Sequence, residues 1–512
     1  MSRRGNIVIL AQCCRLQGLN TRNCHLSGGE LLVFASPLVA KSSYCYFFSA
    51  KPKFSEHFCC LVREKTVTFT VAKFGGTSVA DYASMLRCAE IIQSNSSIRL
   101  VVVSACAGVT NRLVAIADLQ GRQIEKLLNE IYEIHFAIQK RLKNASQVQK
   151  SLEQLHHKLA LHCQKTTEDQ ASWRDELLSF GERCSSLLFS SLLVEQGLCS
   201  STLDARQLLK TNSDFGRAQP DEVTTKSHCL EQKQKLESGC VRVTQGFIGS
   251  DENNQTTTLG RGGSDYSAAL LAAGFNATDL QIWTDVAGIY TTDPRICPSA
   301  RAIAEMSFSE AAELATFGAK ILHPSSLAPA IKNDIRVFIG NSQDALSGGT
   351  YISASPTSRP DVRAIALRRD QTLVTVHSLN MLHASGFLAR LFEILARYNV
   401  SVDLVTTSEV SIALTLDEGG SAANGQALLP AAALEELEQF CRVEVETGLS
   451  LVAIIGNGIG RDAHISQLTF NTVNDYAVRL ICQGASEHNL CFLVADNEGE
   501  NVIRTLHDRI LR

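Results

Sequence analysis

Between residues 66 and 72 threonines alternate with apolar side chains, the period of a strand with one face buried. The run leads into Lys73-Phe74-Gly75-Gly76-Thr77-Ser78 and then a helical pattern from Ala80. A second unit follows, in which the apolar run Leu100 to Val103 meets Ser104 to Asn111 and another helix. Two consecutive strand-turn-helix units predict a parallel sheet covered by helices. From Ile124 apolar residues recur at 127, 131, 134, 138 and 142, the three-four spacing of an amphipathic helix, and helical patterning continues through Leu193. Strand-turn-helix patterning returns at 241–249 and again at 256–265, whose glycines open a helix over 266–273.

The pattern changes after residue 352. Residues 353–361 are small residues and prolines without periodicity, the mark of a linker. Beyond them 401–416 and 477–494 both read strand, polar turn, strand, and in the first copy a helix over 388–398 precedes. That order predicts two small, duplicated α+β units packed together. The chain therefore divides into an extension (1–65), an α/β domain (66–352), the linker (353–361) and a paired α+β region (362–512).

Composition narrows the function. With 48 basic against 52 acidic residues, a net charge of -4 leaves no footprint for nucleic acid or an anionic membrane. No run reaches the ~18 consecutive apolar residues of a spanning helix. The 17 cysteines never fall as C-x-x-C, so reduced, buried thiols in the cytoplasm are expected, not a disulfide framework or a zinc site. The histidines, His156 and His157 included, lack ligand spacing, and no metal ligand is assigned. Residues 1–60 hold seven Lys/Arg and two acids. That bias reads as an organellar transit peptide, which would move the protein to an organelle, or as an upstream extension without a role.

Three motifs carry chemistry. In Lys73 to Ser78 the glycines let backbone N–H groups approach an oxyanion, the next helix presents its positive end, and the lysine adds a point charge; taken alone, the glycine pair equally suits a simple turn. Gly260-Arg261-Gly262-Gly263-Ser264-Asp265 makes a second anion nest, with an arginine able to grip a carboxylate; Asp265 would also serve as a plain helix cap. The stretch from Trp283 to Arg295 mixes an aromatic residue, acids and an arginine, the contacts a nucleotide needs, although Asp293-Pro294 would also make an ordinary turn. Gly456-Asn457-Gly458-Ile459-Gly460 mimics a dinucleotide fingerprint, but Arg461 stands where the third glycine belongs.

In this order, and with Leu178 to Glu182 and Ser378 to His383, these motifs resemble the aspartate kinases of the amino-acid kinase family, of the monofunctional, lysine-regulated type. The resemblance spans about Val71 to Arg512 and implies an amino-acid kinase fold, a mostly parallel sheet between helices, followed by two ferredoxin-like ACT domains. It implies transfer of the γ-phosphoryl group of ATP, with Mg2+, to the β-carboxylate of L-aspartate, giving 4-phospho-L-aspartate. Lys73 would bridge the phosphates, with Gly75, Gly76 and Ser104 at the anion loops, and Asp265 would orient it. Arg261, Glu182, Thr110 and Ser264 would seat aspartate, while Thr284, Asp285, Tyr290, Arg295, Lys320 and Ile321 would contact the nucleotide. L-lysine as effector would lie among Met381, Phe387, Leu388, Ser401, Val402, Asp403, Ser408 and Glu409. Ala384 stands where lysine-sensitive relatives place serine, a lost hydroxyl contact that would weaken feedback. A homodimer through the ACT domains is implied, with a tetramer as the alternative.

Overall fold

The computed structural model describes residues 23–26, 29–34, 46–47, 68–119, 122–165, 169–260, 262–318, 324–381, 385–417 and 428–511. Two compact units divide the chain, 1–68 and 69–512. In the first, β1 (Asn23–Leu26), β2 (Gly29–Phe34) and β3 (Tyr46–Phe47) form an antiparallel sheet. The expected leader otherwise falls outside the described residues.

The second unit is built on an eight-stranded sheet. Its strands are β4 (Thr70–Phe74), β5 (Ile98–Val103), β6 (Ser200–Leu203), β7 (Val241–Gln245), β10 (Asp279–Thr284), β11 (Glu305–Ser307), β12 (Arg336–Asn341) and β13 (Gly349–Ser353), in the order β11-β13-β12-β10-β4-β5-β7-β6. A small hairpin, β8 (Ile248–Ser250) with β9 (Thr256–Thr258), stands apart from it. Every pairing in the large sheet is parallel except β12 with β13. Alternation along each strand divides the core in two. Val71, Leu100, Val102, Leu280 and Ile282 pack on one face with Ala268 and Leu271 of the helix Gly263–Gly274. Ala72, Phe74, Val101 and Val103 pack on the other with Leu113, Leu177 and Leu188 of the helices Val109–Asp118 and Gln170–Glu195. Buried on both sides, the central strands read as near-continuous apolar runs.

Gln170–Glu195 is long and apolar enough to cross a bilayer, but 78% of its apolar window lies inside the protein, where it serves as a core helix. The reduced-thiol expectation needs one correction: Cys199 and Cys240 form a disulfide. They precede β6 and β7, whose parallel register opposes Ser200 to Val241, so the two cysteines arrive side by side. Sequence spacing carried no sign of this pairing, because the two cysteines stand 41 positions apart and the chain between them folds away and returns.

After irregular residues 354–361 the chain forms a second, antiparallel sheet of six strands. These are β14 (Val362–His377), β15 (Val405–Thr407), β16 (Ser411–Asp417), β17 (Arg442–Gly456), β18 (Ile481–Gln483) and β19 (Asn489–Ala495), in the order β15-β16-β14-β17-β19-β18. The two α+β units are interleaved, which the tandem reading did not foresee. The far half of β14 pairs with β16 and with 442–446 of β17, while its near half, from Val362 to Arg368, pairs with 451–456 of β17. The first unit is thus inserted between two strand halves of the second.

The two sheets are joined by a buried polar knot. Glu310, fully buried, accepts from Arg363 Nε at 2.9 Å, from Asn457 Nδ2 at 2.9 Å and from the Ser307 amide at 2.7 Å. Burial works against its ionisation, but the Arg363 and Ser307 bonds outweigh it and hold its pKa below the ordinary carboxylate value. Arg363 is only 8% exposed. Glu310→Ala should therefore leave a buried, unpaired guanidinium and cost about 3 to 5 kcal/mol, and Glu310→Ala/Arg363→Met should recover part of the loss; urea unfolding of the three proteins measures both effects.

Candidate active site

Because β4, β5, β7, β10 and β12 run parallel, their C-terminal ends share one edge, and most of the motif residues sit on it. The chain leaves β4 for β5 on one side and returns to β10 on the other, so the crevice opens between strands that diverge, as ligand sites do in open α/β sheets. The loops interlock there. The Gly75 amide donates to the Trp283 carbonyl (3.1 Å), Ser104 to Phe74 (3.1 Å) and Gly246 to Val103 (2.9 Å). A Cβ on Gly76 would lie 2.9 Å from the Ala105 carbonyl oxygen, so only glycine lets the two anion loops pack this closely.

Lys73 falls in the same alternation as Val71 and faces the helix Gly263–Gly274. It is 8% exposed, and its Nζ lies 2.7 Å from Oδ1 of Asp265 in the first turn of that helix. The contact is a short, largely buried ion pair. An ammonium group carries three donors, so Lys73 can hold Asp265 and still offer N–H groups to an incoming anion. Two helices, Val109–Asp118 and Gly263–Gly274, start at this edge from left-handed glycines, Gly108 (φ 79°) and Gly262 (φ 71°), with no side chain capping their first N–H groups. Two uncapped helix N-termini and a buried lysine make the edge attractive to phosphate.

Glu182 lies on Gln170–Glu195, is 3% exposed, and accepts from the Ala105 amide at 3.1 Å. Among the described residues no basic group pairs with it, and burial pushes its pKa up to about 8. One turn on, Ser185 donates to the Ser104 carbonyl at 2.7 Å, so the long helix holds the second anion loop at two points. Thr110 stands half-buried in the first turn of its helix, and Ser264 packs against Gly246. Thr284 ends β10, its carbonyl accepting from the Ser342 amide, and Asp285 follows it, exposed.

Tyr290 sits farther along the loop after β10, in a bridge with Ala302, and Arg295 is exposed and paired with Asp293 at 2.7 Å. Arg261, Lys320, Ile321 and Ala384 fall outside the described residues. Of the effector set, Met381 and Phe387 pack on the core beneath the first α+β unit, Val402 with them, while Leu388 and Glu409 are exposed. Ser401 adjoins Val402, and Ser408 bonds Ser411 at 2.7 Å. Asp403 already pairs with Arg368 at 2.9 Å.

The sequence reading missed Asp175, which is 1% exposed and accepts from the amides of Gly216 (2.9 Å) and Thr258 (2.7 Å), anchoring β9 just before the glycine nest. It also missed Ser78 and Ser342, joined at 2.6 Å beneath the crevice. Asp175 and Ser342 lie in no motif, and Ser78, though it closes the Lys73 loop, was given no role there; a buried acid inside an apolar helix was the only further signal available.

Comparison with known proteins covers most of the chain. Residues 68–341 match the amino acid kinase family and 452–510 an ACT domain. The chain is 49% identical over 444 residues to lysine-sensitive aspartokinase 3 of Escherichia coli, covering 86% of this chain and 98% of that protein. It is 35% identical to the chloroplastic aspartokinase 2 of Arabidopsis thaliana, covering 85% of this chain and 83% of that protein. The crystal structure of E. coli aspartokinase III with aspartate and ADP (R-state) aligns with a TM-score of 0.76 at 48% identity, covering 87% of this chain and all of that one. Its complex with lysine and aspartate (T-state) aligns equally well.

The raised pKa of Glu182 makes a signed prediction. Between its ordinary 4.5 and about 8 the folded protein keeps a proton that the unfolded chain has released, so stability falls as pH rises through that window. Glu182→Gln cannot ionise and should show a flatter slope; urea unfolding of both proteins at about pH 5 and about pH 9 provides the comparison.

Proposed function

The chain belongs to the amino acid kinase family and is an aspartate kinase, and on that footing we propose how its residues divide the work. The reaction moves the γ-phosphoryl group of ATP to the β-carboxylate of L-aspartate. An oxygen of the carboxylate forms the new bond to phosphorus as the bond to the ADP oxygen breaks. Acceptor and donor are both anions, so the protein must overcome their repulsion by positioning and by fixed positive charge.

The buried Lys73–Asp265 pair between two uncapped helix starts carries this reading. Asp265 holds Lys73 in place, and Lys73 neutralises charge on the transferring phosphoryl group. The Gly75-Gly76 and Ser104 loops offer backbone N–H groups to phosphate oxygens. Magnesium fits the donor set as a hard cation entering with the nucleotide: Asp265 and Asp285 would hold it, and the ion would neutralise phosphate charge there. Thr284, Asp285, Tyr290, Arg295, Lys320 and Ile321 are assigned to the nucleotide.

Glu182 supports the seating of aspartate. A buried acid without a cation is costly to ionise, and the substrate ammonium supplies the missing charge, so binding draws the proton off Glu182. Thr110, Ser264 and Arg261 are assigned to the rest of the amino acid, with Arg261 on the α-carboxylate.

The regulatory ligand is lysine, which the T-state E. coli relative binds. With Asp403 engaged by Arg368, Glu409 is the acid in the assigned pocket open to an incoming ammonium group. Lysine inhibits by favouring a conformation with misplaced nucleotide loops, and only through unequal affinity for the two conformations. The active unit is a homodimer. In support, the edge strand β15, which includes Val405, is exposed throughout, and Leu388 and Val410 also present apolar surface.

Lys73→Ala should lower kcat by about a thousandfold or more, the scale of losing one preorganised charge, while lysine binding persists; steady-state kinetics and calorimetry measure the two arms. Near-wild-type turnover would remove Lys73 from the mechanism. Glu409→Ala should relieve inhibition by added lysine without changing the uninhibited rate, and an unchanged inhibition curve would take Glu409 out of the pocket.

A further inference from the structure

Away from the catalytic edge, three successive helices converge on side chains that the phosphoryl transfer does not use. His135 on Arg122–Gln139, His156 on Ala145–Cys163 and Cys184 on Gln170–Glu195 each offer one ligand atom, and these atoms lie within 4.8 Å of one another. His135 is fully buried and Cys184 is 1% exposed. Whole helices separate the three along the chain, so the cluster has no sequence spacing and was passed over when the histidines were read one by one.

Two observations set it apart from ordinary core packing. Nδ1 of His135 lies 3.1 Å from Nε2 of His156. Two imidazole nitrogens bound to one tetrahedral ion at about 2.0–2.1 Å stand about 3.3–3.4 Å apart, so the rings already hold nearly that separation. In addition, Nε2 of His135 is sealed from water and has no hydrogen-bond partner. Coordination through Nδ1 would leave this nitrogen as its N–H, so it marks a polar ring set in the core but is not itself the coordinating atom. A buried imidazole with unused capacity beside a buried thiol is the donor set of a borderline-soft cation, not of magnesium or calcium.

We infer that His135, His156 and Cys184 form a site for a divalent cation of the zinc class, held by two imidazole nitrogens and one thiolate. On binding, the Cys184 thiol releases its proton to solvent and the sulfur–metal bond replaces the S–H bond; no oxidation is involved. The ion ties together three helices, of which Gln170–Glu195 packs on the catalytic sheet and the other two pack on that helix. Cys184 follows Glu182 by two residues, so the tie also braces the segment that presents Glu182 to the crevice. The site itself stands independently of the reaction assigned above.

The test is titration of the chelator-treated, reduced full-length protein with cobalt(II). The expected result is a thiolate-to-cobalt charge-transfer band saturating at about one ion per chain, displaced by zinc, with a raised thermal midpoint. Cys184→Ala should abolish the band, and His156→Gln, at the less buried ligand, should weaken cobalt binding by about tenfold or more. The band should survive Cys240→Ala, which separates it from the cysteine pair at the sheet edge. No band in the wild type, or a band retained in Cys184→Ala, overturns the site. If Cys184→Ala does not fold, unchanged cobalt affinity in a folded His156→Gln, judged by far-ultraviolet circular dichroism, overturns it equally.

Discussion

A charged ammonium group inside an apolar parallel sheet is tolerable only if something of opposite sign meets it there, and much of the catalytic edge follows from that demand. Strand alternation turns Lys73 toward one particular helix, and Asp265 must then occupy that helix's first turn. The same helix terminus repels further cations and welcomes anions, so the counterion and the phosphate site come from one element. Glu182 is the inverse case, an acid left without its cation in the same crevice, and it fits a substrate that brings an ammonium group with it.

Catalysis and regulation are physically continuous. The loop after β10 is tethered to the last helix, Asp496–Ile510: Thr291 bonds His507 at 2.9 Å, and Arg504 donates to the Ile296 carbonyl at 2.9 Å. Arg301 of the same loop donates to the carbonyl of Leu511. Glu313 reaches across to Ser486 and Asn489, both at 2.6 Å. A shift of the regulatory sheet must carry these bonds with it or break them, which gives an effector a material route to the nucleotide loop.

What was legible in the sequence was local. Glycine loops after apolar strands, the helix opened by Gly262 and the strand pairs of the tail all announce themselves within a dozen residues, because turn chemistry and side-chain period are short-range effects. What was not legible depends on chain segments meeting from afar. Asp175 finds the backbone of Thr258, Cys199 finds Cys240, and His135 finds His156 and Cys184 only after the helices have packed. The interleaving of the regulatory units belongs to the same class, since a repeat read along the chain looks the same whether its copies stand in line or one sits inside the other.

That interleaving has a consequence for how the protein is made. On a ribosome the near half of β14 emerges about 80 residues before its partner in β17, an interval of about 4 to 16 s at ordinary synthesis rates. During that wait the inserted unit can complete itself and draw the two ends together, acting as a preassembled clasp that shortens the search for the final pairing. Birth order and assembly order therefore diverge at this point, and nascent chains cut between the two strands should be the ones most in need of chaperone protection.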